Sequence, residues 1–479
     1  MNPQGSAGDS DSVTTAILAE PAGIRPQSAT LRVGLDVLRI LLGVLIVMSV
    51  SRIHQHFSFV AKLRPVLLLT ALTCLFAFLN PRYLSTDGLL RTRQARLIVA
   101  LGLLACIGTP FGTSFGNSAR YILESYSKVI VAAMLLIAGI RHTRDLYTLV
   151  WFYVAACGIL SWLGIFVFGL QKAGDMVRLS DLYTFDANDI GVVLMVGLAL
   201  TLLVIQSSKG LARIAAFVIL VGIGVTIARS GSRGAFLGLL MTGAALLVLA
   251  RNIPIAKRLA FVAVTAVTLV FAAPQGYWDQ MATLLSPKED YNWSSSEGRK
   301  AITLRGISYM LSYPVFGLGI NNFWRAECID AVSNKVRFHQ AGTGIRCTPP
   351  HNSTLQAGAE LGLTGLTLWL MLTMGGIRGM LRLRRQLPAA WRHGDDEERF
   401  LYLSTTYFAV AMVGFLVTSF FVTFAWIDIG YILAALMAGL YVSVAQRTGA
   451  PGGPQQVVLP SAGPRGRQAS YRRSVALGR

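Results

Sequence analysis

The sequence has little charge for its length, and this scarcity excludes a water-soluble domain. Only 14% of the 479 residues are charged, whereas 53% are hydrophobic, which is more apolar side chain than a soluble core of this size buries. Apolar runs of about 20 residues, the length that crosses the hydrocarbon of a bilayer, recur from about residue 33 to about residue 445. The composition therefore predicts an integral membrane protein made of one helical bundle.

Acidic residues are also few, and no signal peptide is recognisable. The chain has 23 Asp and Glu against 43 Lys and Arg, a formal charge of +20. A charge of this size is also typical of proteins that bind nucleic acid, but the arginines are scattered through loops and form no single stripe. The orientation of the chain in the membrane and contact with anionic lipid explain the positive charge better. Residues 1–31 are polar, without the basic start and short apolar core of a signal peptide. We interpret them as a disordered cytoplasmic tail.

Hydropathy predicts an all-α fold, a polytopic membrane bundle of about twelve transmembrane helices. The predicted spans are 33–51, 65–80, 97–112, 126–141, 147–169, 189–206, 212–228, 234–250, 258–273, 353–377, 401–424 and 427–445. An even number places both termini on one side, and the cytoplasm is the side that satisfies the positive-inside rule. The predicted organisation is then nine helices over 32–273, a large periplasmic loop over 274–352, three helices over 353–445 and a basic cytoplasmic tail over 446–479.

The loop over 274–352 is too polar to cross the membrane, yet it is rich in aromatic residues, which suit the membrane interface. Its apolar periodicity predicts a short helix over 299–312. The loop also holds Cys328 and Cys347, whereas the other three cysteines lie inside apolar spans. If the loop faces an oxidising compartment, a Cys328–Cys347 disulfide is the economical interpretation, and two free thiols are the alternative.

A histidine stands where the tenth span begins, after two prolines, in Thr348-Pro349-Pro350-His351-Asn352. Prolines are tolerated at helix starts, so we expect His351 in the first turn, on the helix face that carries Gly358 and Gly362. A near-neutral imidazole takes a proton from a hydroxyl or donates to a phosphate, which makes His351 a candidate catalytic residue. A histidine that merely bridges interfacial groups fits the position equally well. Glu360 is expected on the opposite face as a packing or bridging acid.

A polar kink, Arg229-Ser230-Gly231-Ser232-Arg233-Gly234, separates two apolar spans. Two arginines at the mouth of a bundle can bind an anion, together with the backbone N–H groups that the glycines leave accessible. Snorkelling of arginine at a membrane end is the simpler alternative, but it does not explain the Ser-Gly-Ser kink. Arg229 and Arg233 are therefore candidate anion ligands.

Arginine recurs in every predicted outer segment that borders the bundle. Arg299 and Arg305 precede the segment Tyr313-Pro314-Val315-Phe316-Gly317-Leu318-Gly319. Arg178 precedes the segment Phe185-Asp186-Ala187-Asn188-Asp189. The polar residues of this second segment are also suited to capping the sixth span. A pyrophosphate substrate explains the recurrence, because guanidinium forks bind phosphate oxygens bidentately and keep their charge.

These motifs together resemble the O-antigen ligase/polymerase superfamily of bacterial envelope glycosyltransferases. The resemblance rests on the His351-Asn352 pair, the Ser232-Arg233-Gly234 kink with Leu237, the Gly298-Arg299 and Pro314–Gly319 segments and the large loop, and it runs from about Arg178 to about Leu370. It implies an inverting, metal-independent, GT-C-like transferase of the bacterial inner membrane, without a cofactor. Such an enzyme takes glycan from undecaprenyl pyrophosphate at the periplasmic face and passes it to an acceptor hydroxyl.

The resemblance also implies residue roles and partners. Arg233 and Arg299 would bind pyrophosphate, and His351 would orient or deprotonate the acceptor or assist the phosphate. Further substrate ligands would be Arg178, Arg229, Arg305, Asn352 and Asn188. The implied partners are the lipid-linked donor, a glycan or lipid A core acceptor, membrane lipid and a chain-length regulator, with no nucleic acid and no metal. Ligases of lipopolysaccharide biosynthesis and polymerases, including those of exopolysaccharide, share these motifs.

Two other classes of protein remain as alternatives. A secondary transporter should place ionisable residues or broken helices near the bilayer midplane, whereas the centres of the predicted spans are nearly free of charge. A non-catalytic envelope assembly protein is the other alternative. The outer loops contain no Asp-x-Asp pair, which argues against a metal-dependent transferase.

Overall fold

The computed structural model describes residues 31–85, 89, 91–173, 176–180, 182–250, 254–286, 298–333 and 348–448. Its α-helices are α1 (Val37–Ser51), α2 (Pro65–Leu79), α3 (Arg93–Gly108), α4 (Phe115–Gly139), α5 (Thr143–Val167), α6 (Ala187–Ser207), α7 (Gly210–Ser230), α8 (Arg233–Leu249), α9 (Ile255–Ala272), α10 (Tyr277–Ala282), α11 (Arg299–Ser312), α12 (Phe323–Ser333), α13 (Ser353–Gln386), α14 (Asp396–Ser419) and α15 (Asp428–Thr448). Nearly all of both predicted tails, and Cys347, lie outside the described residues.

Each of the twelve predicted spans coincides with a helix in the part of the chain that the structure describes. Nine of these helices are long and apolar enough to cross a membrane, and α1, α2 and α8 are shorter apolar helices. The protein is therefore an all-α, multi-pass membrane bundle, as the sequence predicts. The boundaries differ in places, because α4 begins earlier than its predicted span and α13 continues further, to Gln386.

An antiparallel hairpin, which the sequence did not predict, joins α5 to α6. Strand β1 (Leu170–Ala173) pairs with β2 (Met176–Leu179), with Gln171 opposite Arg178. The end of the bundle that carries this hairpin also carries the start of α13, the start of α15 and the connection between α7 and α8, and we call it the site end.

The centre of the bundle is formed by α6, α14 and α15, most of whose residues are buried. Helix α9 and much of α7 instead expose large apolar side chains, which suits contact with lipid. Small residues let α8 approach α14 closely, since a Cβ placed on Gly238 would lie only 2.2 Å from the Thr418 Cγ2 atom. This close contact fixes the start of α8 against the end of α14.

Helix α13 is broken at Leu361 and Gly362, whereas the sequence predicted a continuous span. Gly362 has φ 69° and ψ −173°, a conformation that is open to glycine and strained for other residues. The segment Pro314–Gly319 lies across the break: the Leu318 N–H donates to the Ala359 carbonyl at 2.9 Å, and the Leu363 N–H donates to the Pro314 carbonyl at 2.7 Å. This glycine-rich segment therefore replaces the helical hydrogen bonds that the break removes.

Glu360, just before the break, is a bridging acid, as the sequence predicted. It is buried, and its carboxylate accepts hydrogen bonds from Trp426 Nε1 at 2.6 Å, Asn321 N at 2.9 Å, Phe323 N at 3.2 Å and Gln356 Nε2 at 3.4 Å. A broken helix with a buried carboxylate is a feature expected of a transporter. Here these donors already occupy the carboxylate, so it does not provide the open ligand that an ion site needs.

Candidate active site

A cleft of about 590 Å³ opens at the site end between α8, α11, α14 and the start of α13. We call it the first cleft. Its polar lining consists of Arg233, Thr283, Arg299, Thr303, His351 and Asn352, and its apolar lining of Leu237, Met241, Leu284, Pro350, Val417, Phe420 and Phe421. The structure thus brings together four of the residues that the sequence singled out, from three separate segments.

Arg233 is the first residue of α8 and is positioned by the turn before it. Gly231 has φ 58°, which lets the chain reverse after α7, and the Ser232 side chain caps α8 by accepting from the Ala235 N–H at 3.2 Å. The Arg233 guanidinium donates to Thr283 Oγ1 at 2.8 Å. Arg229 lies in the last turn of α7, outside the lining of the first cleft, and its Nε is buried without a hydrogen-bond partner.

Arg299 is the first residue of α11, the short helix that the sequence predicted over 299–312. Its guanidinium lies over the ring of Phe421, 6.0 Å from the centroid, which is a cation–π distance. The same ring packs on the first turn of α8, where a Cβ on Gly234 would lie 2.8 Å from Phe421. Phe421 therefore sits beside both arginine-bearing helix starts.

His351 lies before α13, not in its first turn as the sequence predicted. The helix begins at Ser353 because the Asn352 side chain accepts hydrogen bonds from the N–H groups of Thr354 and Leu355 at 3.0 and 3.1 Å. His351 itself has φ 46°, an uncommon value for a residue with a side chain. Its N–H donates to Thr423 Oγ1 at 3.2 Å. This backbone turn places His351 in the lining of the first cleft.

Charges around the first cleft act on one another. Burial lowers the pKa of His351 below its usual value, Arg299 lowers it further, and Asp186 opposes both effects. Burial also lowers the pKa of Arg178, which Asp186 raises and Arg233 lowers. These shifts show that the arginines, His351 and Asp186 form one electrostatic cluster, in which the neutral imidazole is favoured at pH 7.

The remaining predicted ligands lie at different distances from this cluster. Arg178 projects from β2, and Asn188 lies in the first turn of α6, where its side chain donates to the Asp186 side chain at 3.4 Å. Asp186 is the N-cap of α6 and Asp189 completes its capping box. Arg305 forms an ion pair with the buried Glu327 and does not line the first cleft. Substrate binding by Arg178, Asn188, Arg229 and Arg305 stays a prediction.

Cys328, in α12, is disulfide-bonded. Its predicted partner, Cys347, lies outside the described residues, so the pairing of these two cysteines stays a prediction.

Sequence reasoning missed several residues of the first cleft. Thr283, Thr303 and Phe421 carry no recognisable motif, and only the fold brings them to the arginines. Met241 did carry a signal, because Arg233, Leu237 and Met241 are spaced by four and therefore share one face of α8. This face gives the cleft a cationic mouth and an apolar wall that descends along the helix.

Within the described ranges, no group of three or more histidine, cysteine, aspartate or glutamate side chains is placed to hold a metal ion. The positive charge in the first cleft comes from its arginine side chains. The chemistry that this arrangement favours is the binding of an anionic head group next to an uncharged imidazole.

A comparison with protein-family models matches the part of the chain that contains most of these residues. Residues 215–370, about a third of the chain, match the family model described as O-Antigen ligase. The matched region contains Arg229, Arg233, Arg299, Arg305 and His351. No curated protein matches the chain. The match confirms the resemblance to the O-antigen ligase/polymerase superfamily and supports a function of that type in polysaccharide biosynthesis.

Proposed function

We propose, from the family match and the first cleft together, that the protein transfers glycan from undecaprenyl pyrophosphate to an acceptor hydroxyl. The observation that carries the proposal is the amphipathic lining of the first cleft, with Arg233, Arg299 and His351 at the mouth and Leu237 and Met241 below. A polyprenyl pyrophosphate has the matching form, a strongly anionic head on a long apolar chain.

The arginines would act on the leaving group. The acceptor oxygen attacks the anomeric carbon, the bond from that carbon to the pyrophosphate oxygen breaks, and the electron pair leaves with the pyrophosphate. Arg233 and Arg299, both lining the first cleft, would stabilise the charge that develops there, as preorganised donors do. A single displacement of this kind inverts the anomeric centre. The positive charge that stabilises the leaving pyrophosphate would come from the two arginines.

His351 would act on the acceptor. Its lowered pKa keeps the imidazole neutral at pH 7, so it can accept the proton that the attacking hydroxyl loses. The Thr423 hydroxyl and the Asn352 cap fix the backbone on either side of the imidazole. Positioning of this kind contributes to catalysis by holding the reacting groups in line.

We also propose that the site end faces the periplasm and that both termini are cytoplasmic. The sequence supports this orientation, because it places most Lys- and Arg-rich short loops on the cytoplasmic side. An undecaprenyl-linked donor would then enter the first cleft sideways from the outer leaflet of the inner membrane, along Leu237 and Met241 of α8.

The test is a transfer assay with the purified full-length chain in lipid nanodiscs and an undecaprenyl-pyrophosphate-linked glycan. The products distinguish the two activities that the family allows. A ligase moves the glycan onto lipid A core or protein, and a polymerase yields longer undecaprenyl-linked chains, for which a chain-length regulator is a natural partner. Absence of transfer to every acceptor would contradict the proposal.

Removing the apolar wall should weaken binding of the lipid donor. The double variant Leu237→Asn/Met241→Asn loses apolar contact worth about 0.8 kcal/mol per methylene, so we expect the Kd for undecaprenyl pyrophosphate to rise about tenfold. Titration of nanodiscs with this lipid measures the change. Inorganic pyrophosphate, which has no tail, is the control and should bind both proteins equally. Equal affinity for the lipid would show that its tail lies elsewhere.

The rate of transfer should depend on the protonation of His351. Because burial lowers the pKa of His351, the imidazole is neutral at pH 7 and is protonated only at a pH below the usual value of about 6.5. We expect a constant rate near neutral pH and a loss of activity as the pH falls through the lowered pKa. Rates between about pH 5 and 8 at saturating donor measure this. The residual rate of His351→Ala should not fall at low pH. If it still falls as in the unsubstituted protein, the loss of activity at low pH is due to another group.

A further inference from the structure

A second cleft, of about 520 Å³, opens at the site end, away from the first cleft. It lies between the end of α1, the start of α2, the middle of α4 and the start of α15. Its charged and titratable lining residues are Arg52, His54, Arg64, Tyr121, Glu124, Lys128 and Asp428. The roles proposed above involve none of them.

Three residues that line the second cleft each contain a buried polar atom without a hydrogen-bond partner. His54 is only 7% exposed, and its Nδ1 has no partner. Arg52 Nε and Asp428 Oδ1 are also buried without one, and the closest approach of these two side chains is an ion pair at 3.7 Å. Buried polar groups are costly to leave unpaired. Three such atoms in residues that line one cleft indicate a functional region of the protein.

The backbone of the second cleft is unusual as well. Arg52 has φ 53° and Arg64 has φ 50°, both in the left-handed region that residues with side chains seldom adopt. In α4, a π-helical turn over Ile122–Tyr126 contributes Glu124 to the lining. Strained residues and π-helical turns are concentrated at functional sites in proteins. Both features therefore support a binding role for this cleft.

The polar groups of the second cleft select the chemistry of the ligand. Arg52, Arg64 and Lys128 donate hydrogen bonds, whereas Glu124 and Asp428 accept them. A phosphate group can use only the donors and is repelled by the two carboxylates. The hydroxyl groups of a saccharide donate and accept, so they can satisfy both kinds of side chain at once. The mixture of charges therefore favours a saccharide over a simple anion.

One short connection lines both clefts. It runs from the end of α14 to the start of α15: Phe420 and Phe421 line the first cleft, and Trp426 and Asp428 line the second. The start of α6 also lies beside both, since the Phe185 ring is 4.9 Å from the Arg52 guanidinium while neighbouring Asp186 acts electrostatically on His351. The two clefts are thus adjacent compartments of one end of the bundle.

We propose that the second cleft binds the saccharide of the acceptor, so that donor and acceptor occupy separate clefts on either side of this connection. This inference rests on the proposed function, which needs two substrates at the site end. It assigns Arg52, His54, Arg64, Glu124 and Asp428 to acceptor binding, a role outside the pyrophosphate-binding machinery.

The experiment measures saccharide and lipid binding separately on the full-length chain in nanodiscs. The probes are oligosaccharides released by mild acid from the surface polysaccharide of the cells that natively express the chain, and undecaprenyl pyrophosphate. Arg64→Gly removes a charge and relieves the strained backbone, and Glu124→Ala removes an exposed carboxylate. We expect each variant to raise the Kd for the oligosaccharides about tenfold, the loss of one charged hydrogen bond, and to leave binding of the lipid unchanged.

Arg120→Ala is the matched control, because Arg120 is exposed at the same end and lines neither cleft. Unchanged oligosaccharide binding in both variants, or no oligosaccharide binding by the unsubstituted protein, would overturn the inference. Loss of undecaprenyl pyrophosphate binding in Arg64→Gly would also overturn it, by making this cleft part of the donor site. A different result would contradict the proposed function itself: the unsubstituted chain would neither bind the lipid nor transfer glycan.

Discussion

Arg233→Ala should slow glycan transfer by about 100- to 1000-fold, the effect of removing one preorganised donor to a developing negative charge. Arg299→Ala and His351→Ala should have losses of the same order, because all three side chains line the first cleft. The measurement is the transfer rate at saturating donor in nanodiscs. Arg233→Lys keeps the charge but loses the bidentate fork, so its rate should lie between those of the unsubstituted protein and Arg233→Ala.

The control for these variants is again Arg120→Ala, an exposed arginine at the same end of the bundle, which should transfer at the full rate. Each variant protein should be inserted and should unfold at the same temperature as the unsubstituted chain, so that loss of activity reports on chemistry. Full activity in both Arg233→Ala and His351→Ala would show that the first cleft is not the active site.

Glu360→Ala should be the most destabilising single substitution that the fold suggests. It leaves four donors, Trp426 Nε1, Asn321 N, Phe323 N and Gln356 Nε2, without the carboxylate that binds them. Each unpaired donor costs about 1 to 3 kcal/mol, so we expect the free energy of unfolding to fall by about 3 to 5 kcal/mol. Thermal unfolding of the detergent-purified protein should show a midpoint lower by about 10 °C.

Glu360→Gln distinguishes hydrogen bonding from charge. The amide oxygen still accepts from part of the donor set, so this variant should recover more than half of the lost stability. Glu124→Ala, which removes an exposed carboxylate, should leave the midpoint unchanged. A stable Glu360→Ala protein would mean that water or neighbouring groups replace the carboxylate and that the helix break does not depend on it.

Hydropathy was sufficient for the bundle because a membrane imposes one strong rule, that every spanning segment must be apolar over a fixed length. The helix over 299–312 was also predictable, since its apolar residues follow helical periodicity. The break in α13 at Gly362 could not be predicted from the sequence. Its cause is the Pro314–Gly319 segment, which is distant in the sequence and supplies the hydrogen bonds that make the break tolerable.

The recurrence of arginine in the outer segments pointed to the site, but only the structure distinguishes the arginines that line the first cleft from those that do not. Arg233 and Arg299 meet in the first cleft, whereas Arg305 is held by Glu327, a partner that no motif indicates. The motif singled out His351, which lines the first cleft, but this residue precedes the helix because Asn352, not the proline pair, caps the helix start. The sequence did not predict the second cleft, since its lining comes from four helices that share no sequence pattern.

The connection from α14 to α15 ties the assembly of the first cleft to folding. It hydrogen-bonds in sequence to the start of α13: Thr423 accepts from His351, Phe424 donates to Ser353, Ala425 donates to Gln356, and Trp426 donates to Glu360. A chain that is inserted but has not yet docked this connection holds neither the imidazole nor Phe421 in place. We therefore expect the proposed transfer activity to appear only after this connection has docked on the start of α13.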